Sequence, residues 1–307
     1  MQLRLLAPRY WPTWAGLGIL RLLVLLPFWV LVPLGHVIGR LLRLLPLPFL
    51  RTARRNIELC LPELAARERE RLIDQHFAAL GIALLETAVV WWWPAERLRK
   101  LIQIEGIEHL HAGLGRGRGV ILLTAHFTSL EMSGRIMASL APLNILYRPT
   151  KNEVLALFLA RCRTRHGGRA IRRDDIRALI TALRNNECAW YAPDQSYRKK
   201  GAEMVPLFGI PAATNTSTSR LARITGATVL PFFCERLPGA QGFRVVIHPP
   251  FENFPSDSAA ADTERFNRLI EAQVRIAPEQ YLWIHRRFKG LTPDYPDYYA
   301  RVLPQRA

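Results

Sequence analysis

Val120-Ile-Leu-Leu-Thr124, followed by Ala125-His126-Phe127-Thr128-Ser129-Leu130-Glu131, is the stretch that decides the fold. The first four residues form a continuous apolar run, closed by Thr124, behind a glycine-rich turn, GLGRGRG at 113–119. Such a run reads as a strand covered on both faces, the habit of parallel sheets. A helix is expected from about Ser129 to Leu140. Working outward, Leu143–Tyr147 reads as a strand. A helix over 153–165 closes at Gly167–Gly168, a plausible C-cap. Asp174 can cap the helix IRALITAL, and Cys188–Ala192 is a strand. A helix over 217–225, strands at 228–234 and 243–248 and a helix over 263–276 complete the alternation. Upstream, Ala65–Trp93 has a charged start and an apolar end, stopped by Pro94. The predicted class is α/β: a mixed, mostly parallel central sheet flanked by helices.

His126 follows the end of a buried strand, where open α/β sheets collect functional groups. Its near-neutral pKa suits taking a proton from an alcohol. Glu131 lies five residues on, ~140° away on a regular helix. The two can meet only if His126 is still on the loop and Glu131 is in the first helical turn. A carboxylate there would hold the imidazole tautomer and balance its charge. Thr128-x-x-Glu131 also reads as a capping box, so the spacing alone leaves both readings open. GLGRGRG precedes its strand and lacks the terminal Gly-Lys-Ser/Thr, so it reads as a surface turn and not as a phosphate loop.

The N-terminal region carries a different signal. Leu17–Ile38 is almost wholly apolar, and 18 residues separate Arg21 from Arg40. That is close to the ~20 residues of a membrane-crossing helix. Pro27 and Pro33 leave a kinked or shallowly inserted anchor as one alternative, and the all-round hydrophobicity also permits a buried core helix. Residues 1–45 are assigned as the anchor and 46–307 as the catalytic domain. From Met1 to Ile57 there are eight Arg and no Asp or Glu. The larger basic group follows the apolar segment, which places the main body on the cytoplasmic side. The whole chain of 307 residues carries a net charge of +17. This favours acidic partners, and the apolar setting of these arginines suits a membrane surface better than nucleic acid. Trp91-Trp92-Trp93 fits either a core or an interfacial belt. Cys60, Cys162, Cys188 and Cys234 show no metal-binding spacing and read as reduced core thiols.

The block His126–Glu131 is followed by Tyr147-Arg148-Pro149, then Trp190-Tyr191-Ala192-Pro193-Asp194-Gln195, then Ala213-Thr214-Asn215. The long block Ala277-Pro278-Glu279-Gln280-Tyr281-Leu282-Trp283-Ile284-His285-Arg286-Arg287-Phe288-Lys289 closes the series. In this order the blocks resemble the late acyltransferases of bacterial lipid A biosynthesis, within the lysophospholipid acyltransferase superfamily. The resemblance runs from the apolar segment to about Lys289. It implies an acyl-carrier-protein-dependent O-acyltransferase of the bacterial inner membrane, of lauroyl type, with a Kdo-bearing lipid A precursor as acceptor. No metal or bound organic cofactor is implied. The carrier protein thioester is a co-substrate, and nucleic acid is not a partner. By the same resemblance His126 is the general base, Glu131 its partner, and Arg163 and Asp194 belong to the site. Arg148, Arg286, Arg287 and Lys289 are expected to bind anionic groups. One departure is visible: Ser196-Tyr197-Arg198-Lys199-Lys200-Gly201 lacks the Asp and Gly usual around that tyrosine. Within enzymes the rival is a glycerophospholipid acyltransferase, and outside them a membrane-tethered lipid-binding protein.

Overall fold

The computed structural model describes residues 3–45, 48–147, 150–165, 168–172 and 175–300, except for the side chains of residues 3, 163–165 and 168. Helices open the chain: α1 (Trp11–Leu23), α2 (Phe28–Leu44), α3 (Pro48–Cys60), α4 (Ala66–Trp92) and the short α5 (Ala95–Arg99). Then come β1 (Ile102–Glu105), α6 (Ile107–Gly115), β2 (Val120–Leu123), α7 (Leu130–Leu140), β3 (Leu143–Tyr147), α8 (Glu153–Arg165), β4 (Gly168–Arg172), α9 (Ile176–Arg184) and β5 (Cys188–Tyr191). A hairpin, β6 (Ala202–Leu207) and β7 (Ile210–Asn215), precedes α10 (Ser217–Thr225), β8 (Thr228–Arg236), β9 (Phe243–Ile247) and α11 (Ala259–Ile276).

The main sheet has seven strands in the order β1-β9-β8-β2-β5-β3-β4. The run from β8 through β2, β5 and β3 to β4 is parallel; β9 turns back against β8, and β1 follows β9. β2 is central and all four of its residues are buried, as its unbroken apolar sequence demands. Its side chains alternate between two cores. Val120 and Leu122 meet Phe28, Leu31, Leu85, Val89, Leu110 and Ile136. Ile121 and Leu123 meet Ile57, Phe77, Leu183, Leu221, Phe266 and Ile270. The expected α/β class with a mostly parallel sheet is what the structure has.

The N-terminal segment departs from a single anchor helix. Pro27, in extended conformation, breaks it into α1 and α2. α2 packs on α4 with backbone against backbone. A Cβ on Gly39 would come within 2.2 Å of the Phe77 carbonyl oxygen, and one on Gly81 within 2.1 Å of that of Gly35. Leu5, Leu17, Val24 and Phe28 join the same core as β2, so α1 and α2 share a core with the body. One face of these helices remains outside, with Trp11, Ile19, Leu22, Leu25, Trp29 and Leu41 exposed. Among the described residues one single helix, α4, is long and apolar enough to cross a bilayer, and 67% of its apolar window is buried in the fold. α2 and α3 reach that criterion only as a pair bent by 99°. Trp91 and Trp93 are buried, with the Trp93 indole donating to the Val24 carbonyl at 2.7 Å. The tryptophan triplet is therefore largely core.

Other differences are local. α11 starts at Ala259, capped by Ser258, ahead of the expected Thr263. The cap of α9 is Asp175, whose side chain accepts from the Ala178 amide at 3.0 Å; Asp174 lies outside the described residues, as does Gly167. All four cysteines are free thiols.

Candidate active site

β2 and β5 are parallel neighbours, with Leu123 paired to Tyr191. Their carboxyl ends therefore lie side by side. His126 stands three residues beyond Leu123, and Asp194 three beyond Tyr191. Equal offsets from a paired register bring the two together, although 68 residues separate them in sequence. Nδ1 of His126 lies 2.6 Å from Oδ1 of Asp194, and the His126 backbone amide donates to Oδ2 at 3.0 Å. The Tyr281 hydroxyl donates to Oδ2 at 3.4 Å.

This grip fixes both the position and the tautomer of the ring. With Nδ1–H bonded to the carboxylate, Nε2 is left with its lone pair. Burial disfavours a charged imidazole, but the charge and hydrogen bond of Asp194 outweigh it and hold the His126 pKa above its usual value. Burial likewise pushes the Asp194 carboxyl up, and the partner histidine with its hydrogen bonds brings it below the usual carboxylate range. The Asp194 residue is 3% exposed, whereas the His126 side chain is 22% exposed. The dyad is thus sealed at its acid end and open at its base end.

A second segment clamps the histidine loop. Leu282 donates its amide to the His126 carbonyl at 2.9 Å, and Thr128 donates to the Gln280 carbonyl at 2.7 Å. Gln280 is itself locked, accepting from the Arg236 amide at 2.8 Å and donating to the Arg236 carbonyl at 3.0 Å. The Arg236 guanidinium is buried against Glu86 of α4, with Nη2 donating to Oε2 at 2.7 Å. Asn56 of α3 donates to the carbonyls of Trp283 at 2.6 Å and His285 at 2.7 Å. His285 accepts from the Ser196 amide at 3.1 Å. That bond needs a neutral ring nitrogen, and burial lowers the His285 pKa to about 4.

Two expectations for the 126–131 block change. The carboxylate on His126 Nδ1 belongs to Asp194 and not to Glu131. Glu131 sits in the first turn of α7, on the wall of the cavity that also takes in His126. The capping box does not form either. Ser129 is the N-cap of α7, and its hydroxyl donates to the Cys234 carbonyl instead of capping. Of the amides near the start of α7, those of Thr128 and Leu130 are spent on the carbonyls of Gln280 and Phe127.

The basic residues separate. Arg287, expected to bind an anion, is 3% exposed. Its guanidinium donates to the Ala213 carbonyl at 3.0 Å and to the Thr214 hydroxyl, so it ties the last motif block to β7. Arg286 is exposed beside the Tyr299 ring, and Lys289 is partly buried. Arg148 lies outside the described residues. Arg163 falls in α8, with its side chain outside the description. Sequence reasoning did not assign Tyr281, Gln280 or Asn56 a part in the site. For Gln280 and Tyr281 the signal was a polar group inside a block rich in core aromatics; Asn56, in α3, carried none beyond a polar residue on the apolar face of an amphipathic helix.

The cavity beside His126 has a volume of about 210 Å³ and includes Glu131, Tyr147, Leu159 and Trp190 in its wall. A narrower chamber of about 40 Å³ adjoins it. Among the described residues no group of three or more His, Cys, Asp or Glu side chains is disposed to hold a metal ion.

The family profile described as bacterial lipid A biosynthesis acyltransferase matches residues 1–290. The chain is 42% identical over 289 residues to the lipid A biosynthesis palmitoleoyltransferase of Escherichia coli (strain K12), covering 92% of this chain and 93% of that one. It is 36% identical over 296 residues to the lipid A biosynthesis lauroyltransferase of the same organism, covering 96% and 97%. It is 27% identical to the lipid A biosynthesis myristoyltransferase, covering 96% and 92%.

Proposed function

Because the chain belongs to the bacterial lipid A biosynthesis acyltransferase family and is an acyltransferase of that pathway, we propose that it moves a fatty acyl group from an acyl carrier protein thioester to a hydroxyl of a Kdo-bearing lipid A precursor. The observation that carries the chemistry is the His126–Asp194 pair, buried on one side and facing a cavity on the other. Nε2 of His126 takes the proton of the acceptor hydroxyl as that oxygen attacks the thioester carbonyl. The tetrahedral intermediate collapses, the C–S bond breaks, and His126 returns its proton to the departing thiolate. Asp194 keeps Nδ1–H in place and balances the imidazolium charge while it lasts. Glu131, on the wall of the same cavity, binds and orients the acceptor. Arg163, Arg148, Arg286 and Lys289 hold the phosphates of acceptor and carrier.

The net charge of +17 supports acidic partners on both sides of the reaction. The exposed apolar face of α1 and α2, with Arg4, Arg9 and Arg21 about it, supports attachment in the plane of the inner membrane from its cytoplasmic side. Purified protein with acyl carrier protein thioester and a tetraacylated lipid A precursor tests the assignment. Wild-type protein should consume thioester and esterify the acceptor, and His126→Ala should not. Thioester consumption that persists in His126→Ala removes the catalytic role. Activity with a lysophospholipid but none with the lipid A precursor removes the acceptor assignment.

A further inference from the structure

The helical glycines of this protein fall into two kinds. At Gly35, Gly39 and Gly81 a Cβ would press to within 2.6, 2.2 and 2.1 Å of backbone atoms on the facing helix, so contact between α2 and α4 excludes a side chain. Gly134, in the middle of α7, has no such constraint. An added Cβ would meet only Ile145 Cδ1 at 4.0 Å, and the backbone there is outside the left-handed region. Glycine inside a helix costs stability relative to alanine. At Gly134 neither packing nor backbone geometry accounts for that cost.

The adjoining space does. Gly134 and Ala138 line the chamber of about 40 Å³ together with Val90, Trp91, Ile145, Cys162 and Trp190, and Arg135 of the same helix also reaches its wall. Leu130, Glu131, Ile145 and Trp190 are walls of both this chamber and the larger cavity at His126. On α7, Glu131, Gly134 and Ala138 stand at i, i+3 and i+7, along one helix face. That face runs from the carboxylate beside the reaction centre to two residues with almost no side chain.

We infer that this chamber takes the distal end of the transferred acyl chain, and that Gly134, with Ala138, sets the longest chain the enzyme accepts. The inference rests on the acyl-transfer reading of the His126 cavity. The ligand class is an unbranched hydrocarbon tail, which fits a small chamber walled mainly by apolar side chains, with Glu131 and Arg135 also in its lining. A side chain built on Gly134 would grow into the chamber and displace the tail carbon for carbon. A methylene that no longer fits an apolar pocket costs roughly tenfold or more in kcat/KM.

The test uses the purified full chain in detergent, the lipid A precursor, and acyl carrier protein thioesters of graded chain length competing pairwise, with product masses as readout. In Gly134→Ala the longest accepted chain should lose roughly tenfold against the next shorter one, while the melting temperature holds or rises by about 2 °C. Gly134→Met and Ala138→Leu should move the preference further towards short chains and keep turnover of the shortest. An unchanged length profile in Gly134→Ala and Ala138→Leu, in protein that melts like wild type, overturns the inference. So does an equal loss at every length. Absence of turnover at any length by wild-type protein would instead sink the acyl-transfer reading itself, and this inference with it.

Discussion

Two buried, charge-bearing pairs hold this molecule together near the ends of its central strands, and they differ in what their far side meets. Glu86 and Arg236 join α4 to the end of β8. Both side chains are almost fully buried, and the arginine braces the Gln280 segment through its backbone. His126 and Asp194 join the ends of β2 and β5. Here the carboxylate is sealed, but the imidazole opens onto a cavity. The first pair is closed on all sides and can only position its neighbours. The second leaves its imidazole partly exposed, on the wall of a cavity of about 210 Å³. Burial and charge alone do not mark a reaction centre; under the proposed function it is the pair that opens onto a cavity that serves as one.

Substitutions separate the two roles, and the largest effect is expected at the dyad. His126→Ala should lower kcat/KM on the order of 10²–10⁴-fold, with a melting temperature close to wild type. Asp194→Asn should approach the same loss, because an amide fails to hold the productive tautomer. Glu86→Ala should do the reverse. It leaves the Arg236 charge buried and unpaired, which costs about 3–5 kcal/mol of stability, read as a fall in denaturation midpoint. Adding Arg236→Met should restore much of that loss. A Glu86→Ala protein that is as stable as wild type but inactive would break the contrast.

The pH dependence sharpens it further. His126 must be neutral to accept a proton, and its pKa is raised by Asp194 despite the opposing effect of burial. The rate should therefore fall as pH drops through a value above the ordinary 6.5. Stability moves the other way for this group: its charged form is favoured in the fold, so its contribution is full below 6.5 and fades as pH rises through the raised pKa. The Asp194 contribution is full above its unfolded value of 3.8 and is lost as pH falls through the lower folded pKa. The smallest effect belongs to Tyr281→Phe. It removes one long hydrogen bond to Asp194, worth about 1 kcal/mol or less. The remaining His126–Asp194 bonds should keep most of the rate, and the acid limb should shift slightly upward as the carboxylate loses a donor. A loss as large as that of Asp194→Asn would make the hydroxyl a full member of the catalytic group.

Much of the fold was legible in local pattern. The buried run at β2, the strand at Leu143–Tyr147 and the helix at Ser217–Thr225 follow from apolar periodicity and from breaking residues. β4 was not foreseen, because its sequence, Gly168-Arg169-Ala170-Ile171-Arg172, has one bulky apolar residue. It becomes a strand by pairing with β3. The β6–β7 hairpin was hidden by Pro206 and Pro211, and its turn puts Phe208 at φ 52°, a place where Asn or Gly is the usual signal. That conformation is supported from outside the hairpin, where the Phe208 amide donates to Glu271 of α11 at 2.6 Å. The break at Pro27 and a buried core helix were both in view, but the face by which α2 packs was not, since Gly35, Gly39 and Gly81 acquire meaning only as facing surfaces.

By itself the sequence determined the strand–loop–helix unit that carries His126, the order of the motif blocks and the family they belong to. These reside in local periodicity and residue identity, which a linear string preserves. The tertiary structure decided which carboxylate the histidine holds. Glu131 is close along the chain, but Asp194 is close in space, because parallel pairing of β2 with β5 in register sets their two exits side by side. Pairing across 68 residues depends on packing two cores around one sheet, and local pattern does not encode that distance.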